Sequence, residues 1–122
     1  MVSSDDVIDW VKNFAEKINK DANAKKRIQK WIKQSYWGKI ISWIMDGKGF
    51  FLVITRDGVA KVGTGDYPSP EVTMLISPDA FMELLKEDPY SGLKEFLGAN
   101  KLVIRGNLNE ANQFLKAAKD IL

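Results

Sequence analysis

A chain without histidine or cysteine has few routes to chemistry. Serine–histidine and cysteine–histidine nucleophiles are excluded, and so is any metal site built on imidazole or thiolate. An enzyme made from this sequence would have to work with carboxylates, lysine, tyrosine or backbone groups. Asp5, Asp6 and Asp9 are the tightest cluster of carboxylates. They open a helical pattern, where negative charge complements the helix macrodipole, so their position accounts for them without catalysis. Gly47-Lys48-Gly49 and Gly63-Thr64-Gly65 resemble fragments of phosphate-binding loops. Neither has the full spacing of such a loop or leads directly into a helix, and both fall where turns call for glycine.

Positive charge is concentrated. Lys25, Lys26, Arg27, Lys30, Lys33 and Lys39 fall in a stretch free of acids, interleaved with Trp31, Tyr36 and Trp37. Three readings fit. The run is a solvated helix face with Trp31 in the core; or Lys26, Arg27 and Lys30 dock on an anionic membrane surface with Trp and Tyr at the interface; or the lysines contact nucleic-acid phosphates while the aromatics stack on bases. A net charge of only +2 and the lack of an RNA-binding motif count against nucleic acid.

The elements that must position these residues are sharply punctuated. Asp5 to about Asn19 reads as an amphipathic helix with Val7, Val11, Phe14 and Ile18 on one face. A second helix, Ala24 to about Ser35, buries Ile28, Trp31 and Ile32. Lys39–Met45, Phe50–Thr55 and Val59–Val62 form a three-stranded meander, turned at Asp46-Gly47-Lys48-Gly49 and at Asp57-Gly58. The second of these strands is apolar on both parities, which predicts a central strand covered on both faces. Glu71–Ile76 is a fourth strand. Ser77-Pro78 and Asp88-Pro89 are cap-then-proline signals, each opening a short helix. Leu102–Ile104 is a fifth strand, and the two intervening helices permit a parallel crossover into it. Asn107 and Glu110 then read as a capping box. They open a last helix with Leu108, Ala111, Leu115, Ala118 and Leu122 on one face.

The order from Glu71 to Leu115 resembles the SCP2 sterol-binding domain family. EVTMLISPDAFMELL, a proline-started helix ending at Gly98, and KLVIRGNLNEANQFL carry the likeness. Ala99 and Asn100 lengthen the connection after Gly98, which alters one loop and leaves the strand register intact. The resemblance implies an α+β fold in which a five-stranded mixed sheet is covered by helices, with an apolar tunnel between sheet and helices. Residues 1–122 would form one domain, 1–37 supplying N-terminal helices and 39–122 the sheet with its C-terminal helices.

On composition alone Trp43, Phe51, Met74 and Phe81 are core residues, as are Leu85, Leu93, Phe96, Leu97 and Phe114. The resemblance turns them, element by element, into candidate ligand contacts. Phe81, Leu84 and Leu85 carry over on one helix, and Leu93, Phe96 and Leu97 on the next. Phe114 and Leu115 carry over on the last helix, while Met74 and Ile76 point from the sheet. Four methionines would let such a cavity adapt to its ligand. Burial contributes about 0.8 kcal/mol per methylene, so a long acyl chain needs no catalyst to bind.

The expectation is therefore a non-enzymatic lipid carrier for a fatty acyl group, fatty acyl-CoA, isoprenoid or sterol-like ligand, with no cofactor and no metal. The alternative is an accessory module that docks on membranes or a partner protein through the basic helix. Met1 leads straight into Ser3-Ser4-Asp5-Asp6 and no apolar run approaches membrane-spanning length, which with the lack of cysteine suggests the cytoplasm. The final Asp120-Ile121-Leu122 is not a peroxisomal signal.

Overall fold

The computed structural model describes residues 2–33 and 38–122. Its elements run α1 (Ser4–Lys20), α2 (Ala22–Ile32), β1 (Lys39–Met45), β2 (Lys48–Ile54), β3 (Ala60–Thr64), β4 (Val72–Ile76), α3 (Pro78–Leu84), α4 (Pro89–Gly98), β5 (Leu102–Gly106) and α5 (Leu108–Ile121). The expected positions Gln34, Ser35, Tyr36 and Trp37 lie outside the described residues.

Local chemistry sets the boundaries. Ser3 and Asp6 form a reciprocal capping box at the start of α1. Asp21 closes α1 and caps α2, accepting from the Asn23 and Ala24 amides. Ser77 and Asp88 each cap a helix whose first residue is proline. The β1–β2 turn places Asp46 at φ 50° and Gly47 at φ 77°, the left-handed pair that a two-residue hairpin requires.

The strands form one mixed sheet in the order β3-β2-β1-β4-β5. The parallel pair is β1–β4, with Trp43 beside Met74. β4 and β5 run antiparallel, Ile76 opposite Leu102, so the expected parallel crossover into the fifth strand does not form. The α3–α4 pair returns the chain to the end of β4 it had just left, and the only direction from there is back.

All the helices lie against one face of the sheet. Val7, Val11, Phe14 and Ile18 of α1 are fully buried, as are Ile41 and Trp43 of β1, Phe50, Leu52 and Ile54 of β2, and Val72 and Met74 of β4. The alternate positions Ile40, Ile44, Phe51, Val53 and Leu75 are only half-buried. This corrects the two-sided burial expected of the second strand: its outer parity is apolar but, among the described residues, has no helix over it. Phe51 instead lies flat on Gly63 across the β2–β3 pair and meets Tyr67 edge-on at 5.1 Å. A side chain at Gly63 would stand 2.3 Å from that ring, so glycine makes its place.

Edge strand β3 is blunted from α1. The Asn19 side-chain amide donates to the Ala60 carbonyl and accepts from the Ala60 amide, pairing backbone that would otherwise be open.

The apolar stripe of α5 is shifted from the expected one. Leu108 and Leu122 are 42% and 59% exposed, while Phe114, Ala117 and Ile121 join Ala111, Leu115 and Ala118 in the core. Among the described residues no helix is long and apolar enough to cross a membrane.

Candidate functional site

Between sheet and helices the interior is lined by aromatic rings. Trp43, in the central strand, stacks on Phe50 at 5.2 Å and meets Phe81 of α3 and Phe114 of α5 edge-on. Trp10 of α1 stacks on Phe14 at 5.5 Å and meets Phe81 and Phe114 edge-on as well. Trp10 is half-buried, and it also lines a surface cleft of about 440 Å³ with Leu85, Lys86, Ala118, Lys119 and Leu122. The cleft thus opens onto the outer side of the ring cluster. Its rim carries two cations, and its floor is apolar.

The residues expected to contact a ligand sort by face. Trp43, Met74, Ile76, Phe81, Leu84, Leu93, Phe96, Phe114 and Leu115 are all buried. Leu85 is half-buried and lines the cleft. Leu97 packs, partly buried, against the same core. Phe51 is the exception. Its parity sends it to the opposite face, beside Ser42 and Gly63, so it does not share a side with the others. Trp10, Lys86 and Lys119 were not among the sequence candidates. Trp10 was findable: it precedes Phe14 by four residues and follows Val7 by three, on the flank of the buried stripe. The lysines had no such signal, because the α3–α4 connection and the end of α5 meet only in three dimensions.

Polar groups in the interior are few and mostly satisfied. Glu110 in the first turn of α5 pairs with Lys39 at 2.8 Å, each side chain 10% exposed. The Trp31 indole donates to the same carboxylate at 3.3 Å. The expected capping box at Asn107 is therefore absent: Asn107 accepts from the Asn109 amide, and Glu110 is drawn inward to the Lys39 charge. Lys39 and Glu110 satisfy each other and, with Trp31, tie β1, α2 and α5 together. Among the described residues no cluster of carboxylates is placed to hold a metal ion.

Two buried side-chain polar atoms have no partner among the described residues, Trp43 Nε1 and Asn112 Oδ1. Leaving a buried donor unpaired costs about 1–3 kcal/mol. Asn112 is two residues from Phe114, hence on a different side of α5 from the ring that meets Trp43.

The basic helix divides. Lys26, Lys30 and Lys33 are exposed on α2 and its end. Arg27 is engaged with Asp120 of α5 at 2.6 Å, and Lys25 donates to the Gly58 carbonyl. Trp31 is buried against Glu110, so it cannot supply the interfacial ring that membrane docking called for. Tyr36 and Trp37, the other rings of that reading, are outside the described residues.

The model of the SCP-2 sterol transfer family matches residues 11–119. No curated protein sequence matches the chain significantly. Among solved structures, it is similar to a protein described as "UbiJ-SCP2 Ubiquinone synthesis protein", with TM-score 0.73 at 15% identity, over 99% of this chain and 95% of that one. It is similar to apo sterol carrier protein 2 from Yarrowia lipolytica, with TM-score 0.63 at 20% identity, over 98% of this chain and 91% of that one. It also superposes on part of the stereoselective inverting sec-alkylsulfatase Pisa1 from Pseudomonas sp., with TM-score 0.57 at 16% identity; 66% of this chain spans 13% of that protein. At these identities the structural likeness is one of fold.

Proposed function

Because the chain belongs to the SCP-2 sterol transfer family, a family of lipid binding and transfer, we propose that it is a non-catalytic carrier. Its ligand would be a fatty acyl group, fatty acyl-CoA, isoprenoid or sterol-like lipid, held between the helices and the sheet. The observation that carries this reading is the cleft over Trp10, which adjoins an interior made of apolar side chains and aromatic rings. The rings of Trp43, Phe50, Phe81 and Phe114 pack against one another there. A lipid enters by parting α5 from the α3–α4 connection, exchanging ring–ring contacts for ring–chain contacts and burying its own apolar surface. At about 0.8 kcal/mol per methylene, a long chain has ample free energy to offset that rearrangement. Lys86 and Lys119 on the rim would hold an anionic headgroup in water. The whole chain would act as one domain in the cytoplasm, loading and unloading by diffusion between membranes or enzymes.

The test is a titration with a naturally fluorescent polyene fatty acid, read by energy transfer from the tryptophans. Acyl-CoA, fatty acid, sterol and a polyisoprenoid alcohol then compete it off. Saturable, stoichiometric binding with a rank order of competitors is the expected result. Absence of saturable binding by a folded sample overturns the carrier reading.

A second reading is docking on an anionic membrane, favoured by the exposed Lys26, Lys30 and Lys33 along one side of α2. It predicts salt-dependent binding to anionic vesicles that is lost in Lys26→Glu/Lys30→Glu. Arg27 is spared in that variant because it fastens α2 to Asp120.

A further inference from the structure

The fold treats its buried indoles unequally. Trp31 Nε1 is given the Glu110 carboxylate, whereas Trp43 Nε1, wholly buried in the central strand, has no partner among the described residues. Water is a poor occupant for that position. A buried water needs two to four polar partners, and the rings around Trp43 are those of Phe50, Phe81 and Phe114. Nor is the donor remote from the entrance. Phe81 and Phe114 each contact both Trp43 and Trp10, and Trp10 lines the cleft. Two shared ring contacts thus link the entrance to the residue that bears the unpaired donor.

We propose that Trp43 Nε1 is the inner polar contact for the bound lipid. The ligand then carries a neutral acceptor oxygen (carbonyl, ester or hydroxyl) within its buried portion, and that oxygen accepts from the indole once the rings have parted. The inference rests on the carrier reading above and narrows its substrate class. The acceptor is neutral because a carboxylate beside Trp43 would be buried without a counter-charge. The cation nearest in sequence, Lys39, is already committed to Glu110, while Lys86 and Lys119 stand at the cleft. An ionised headgroup belongs at the rim, and an uncharged oxygen belongs inside. A lipid with polar groups at both places is thus preferred over a plain hydrocarbon chain of equal length.

The experiment uses the whole chain and a positional series of keto-stearic acids, each competing against the fluorescent polyene acid, with stearic acid as reference. Comparing keto positions with one another cancels the cost of desolvating the carbonyl. One narrow range of positions is expected to bind about three- to tenfold tighter than its neighbours, the effect of one net hydrogen bond. Trp43→Phe should flatten that maximum, bringing the keto positions to within about threefold of one another. A flat series in the unmodified chain, or a maximum that survives in Trp43→Phe, overturns the inference and leaves the carrier reading standing. Failure of every acid, stearic included, to bind the folded chain refutes the carrier reading and this inference with it. Should Trp43→Phe not fold, ¹⁵N-tryptophan spectra of the unmodified chain decide. The Trp43 indole resonance, assigned by Trp10→Phe, Trp31→Phe and Trp37→Phe, is expected to move downfield with the best keto acid and not with stearic acid. Equal shifts with both acids overturn the inference.

Discussion

Phe50 and Phe51 are neighbours in sequence and belong to different worlds. Phe50 faces the helices, fully buried, stacked on Trp43. Phe51 faces the uncovered side, half-buried, resting on Gly63 and Tyr67. The same contrast runs across the sheet. Ile41 and Met74 sit under helices, while Ile40 and Leu75 sit under none. Hydrophobicity is spread over both faces, and depth over only one. The difference teaches that apolar residues make a ligand site only where a second layer can move away from them. Among the described residues no helix lies over the outer face to be parted from it.

The strongest way to break this contrast is to remove what fixes the helical layer. Glu110→Ala strands the buried Lys39 charge and should lower unfolding stability by about 3–5 kcal/mol in a denaturant titration. Phe114→Ala should cost about the same through the cavity it leaves. Phe51→Ala, on the other face, should cost on the order of 1 kcal/mol. Equal losses for the two phenylalanines would erase the distinction between the faces. Ligand binding sharpens it next. Leu85→Glu at the cleft should weaken the polyene acid more than about tenfold, while Phe51→Glu leaves it within about twofold; tenfold corresponds to about 1.4 kcal/mol. The reverse order would move the site to the outer face.

A smaller effect belongs to the rim. Lys86→Gln/Lys119→Gln should weaken a free fatty acid by about threefold at low salt, leave its methyl ester unchanged, and lose its effect in about 1 M salt. The smallest effect is acid-dependent. Hydrogen bonds from the Ser3 backbone and side chain hold the Asp6 carboxyl below its ordinary value. A group depressed by folding contributes above its ordinary pKa, and the contribution disappears as pH falls through the lowered one. Amide protection in the first turn of α1 should therefore decline in that acid range, and Asp6→Asn should remove the dependence, whereas Ser3→Ala keeps the backbone donor and should only reduce it. Protection that is flat with pH would remove Asp6 from the cap.

Much of this was legible in sequence, for identifiable reasons. Helices opened by Ser77-Pro78 and Asp88-Pro89 carry their own start signals, and Lys39–Met45 is bounded by a glycine on one side and a turn on the other. What failed was whatever depended on a partner distant in sequence. Asn107-x-x-Glu110 spells a capping box, but Lys39 outbids the local amide because a buried cation needs a carboxylate more than a helix end does. The apolar double parity of β2 could not say that one face lacks a helix, since Phe51 finds its cover in Gly63 and Tyr67. The cleft was illegible because Trp10, Leu85 and Leu122 come from three separate parts of the chain.

The Lys39–Glu110–Trp31 tie has a mechanical consequence. Helix α5 is a rod of 14 residues, bolted at its first turn from inside the protein. Its last turns pack Ala117, Ala118 and Ile121 into the core and add two attachments nearer the surface, Asp120 to Arg27 and Lys119 to the Glu87 carbonyl. Any swing of such a rod would pivot at its bolted end. A rotation of about 10° there carries the tip about 3 Å and Phe114 about 1 Å, at 1.5 Å of rise per residue. The tip is thereby amplified over the pivot. Dissolved salt would screen the Arg27–Asp120 pair more than the buried Lys39–Glu110 pair, so ionic strength would act on the tip of the rod before its pivot.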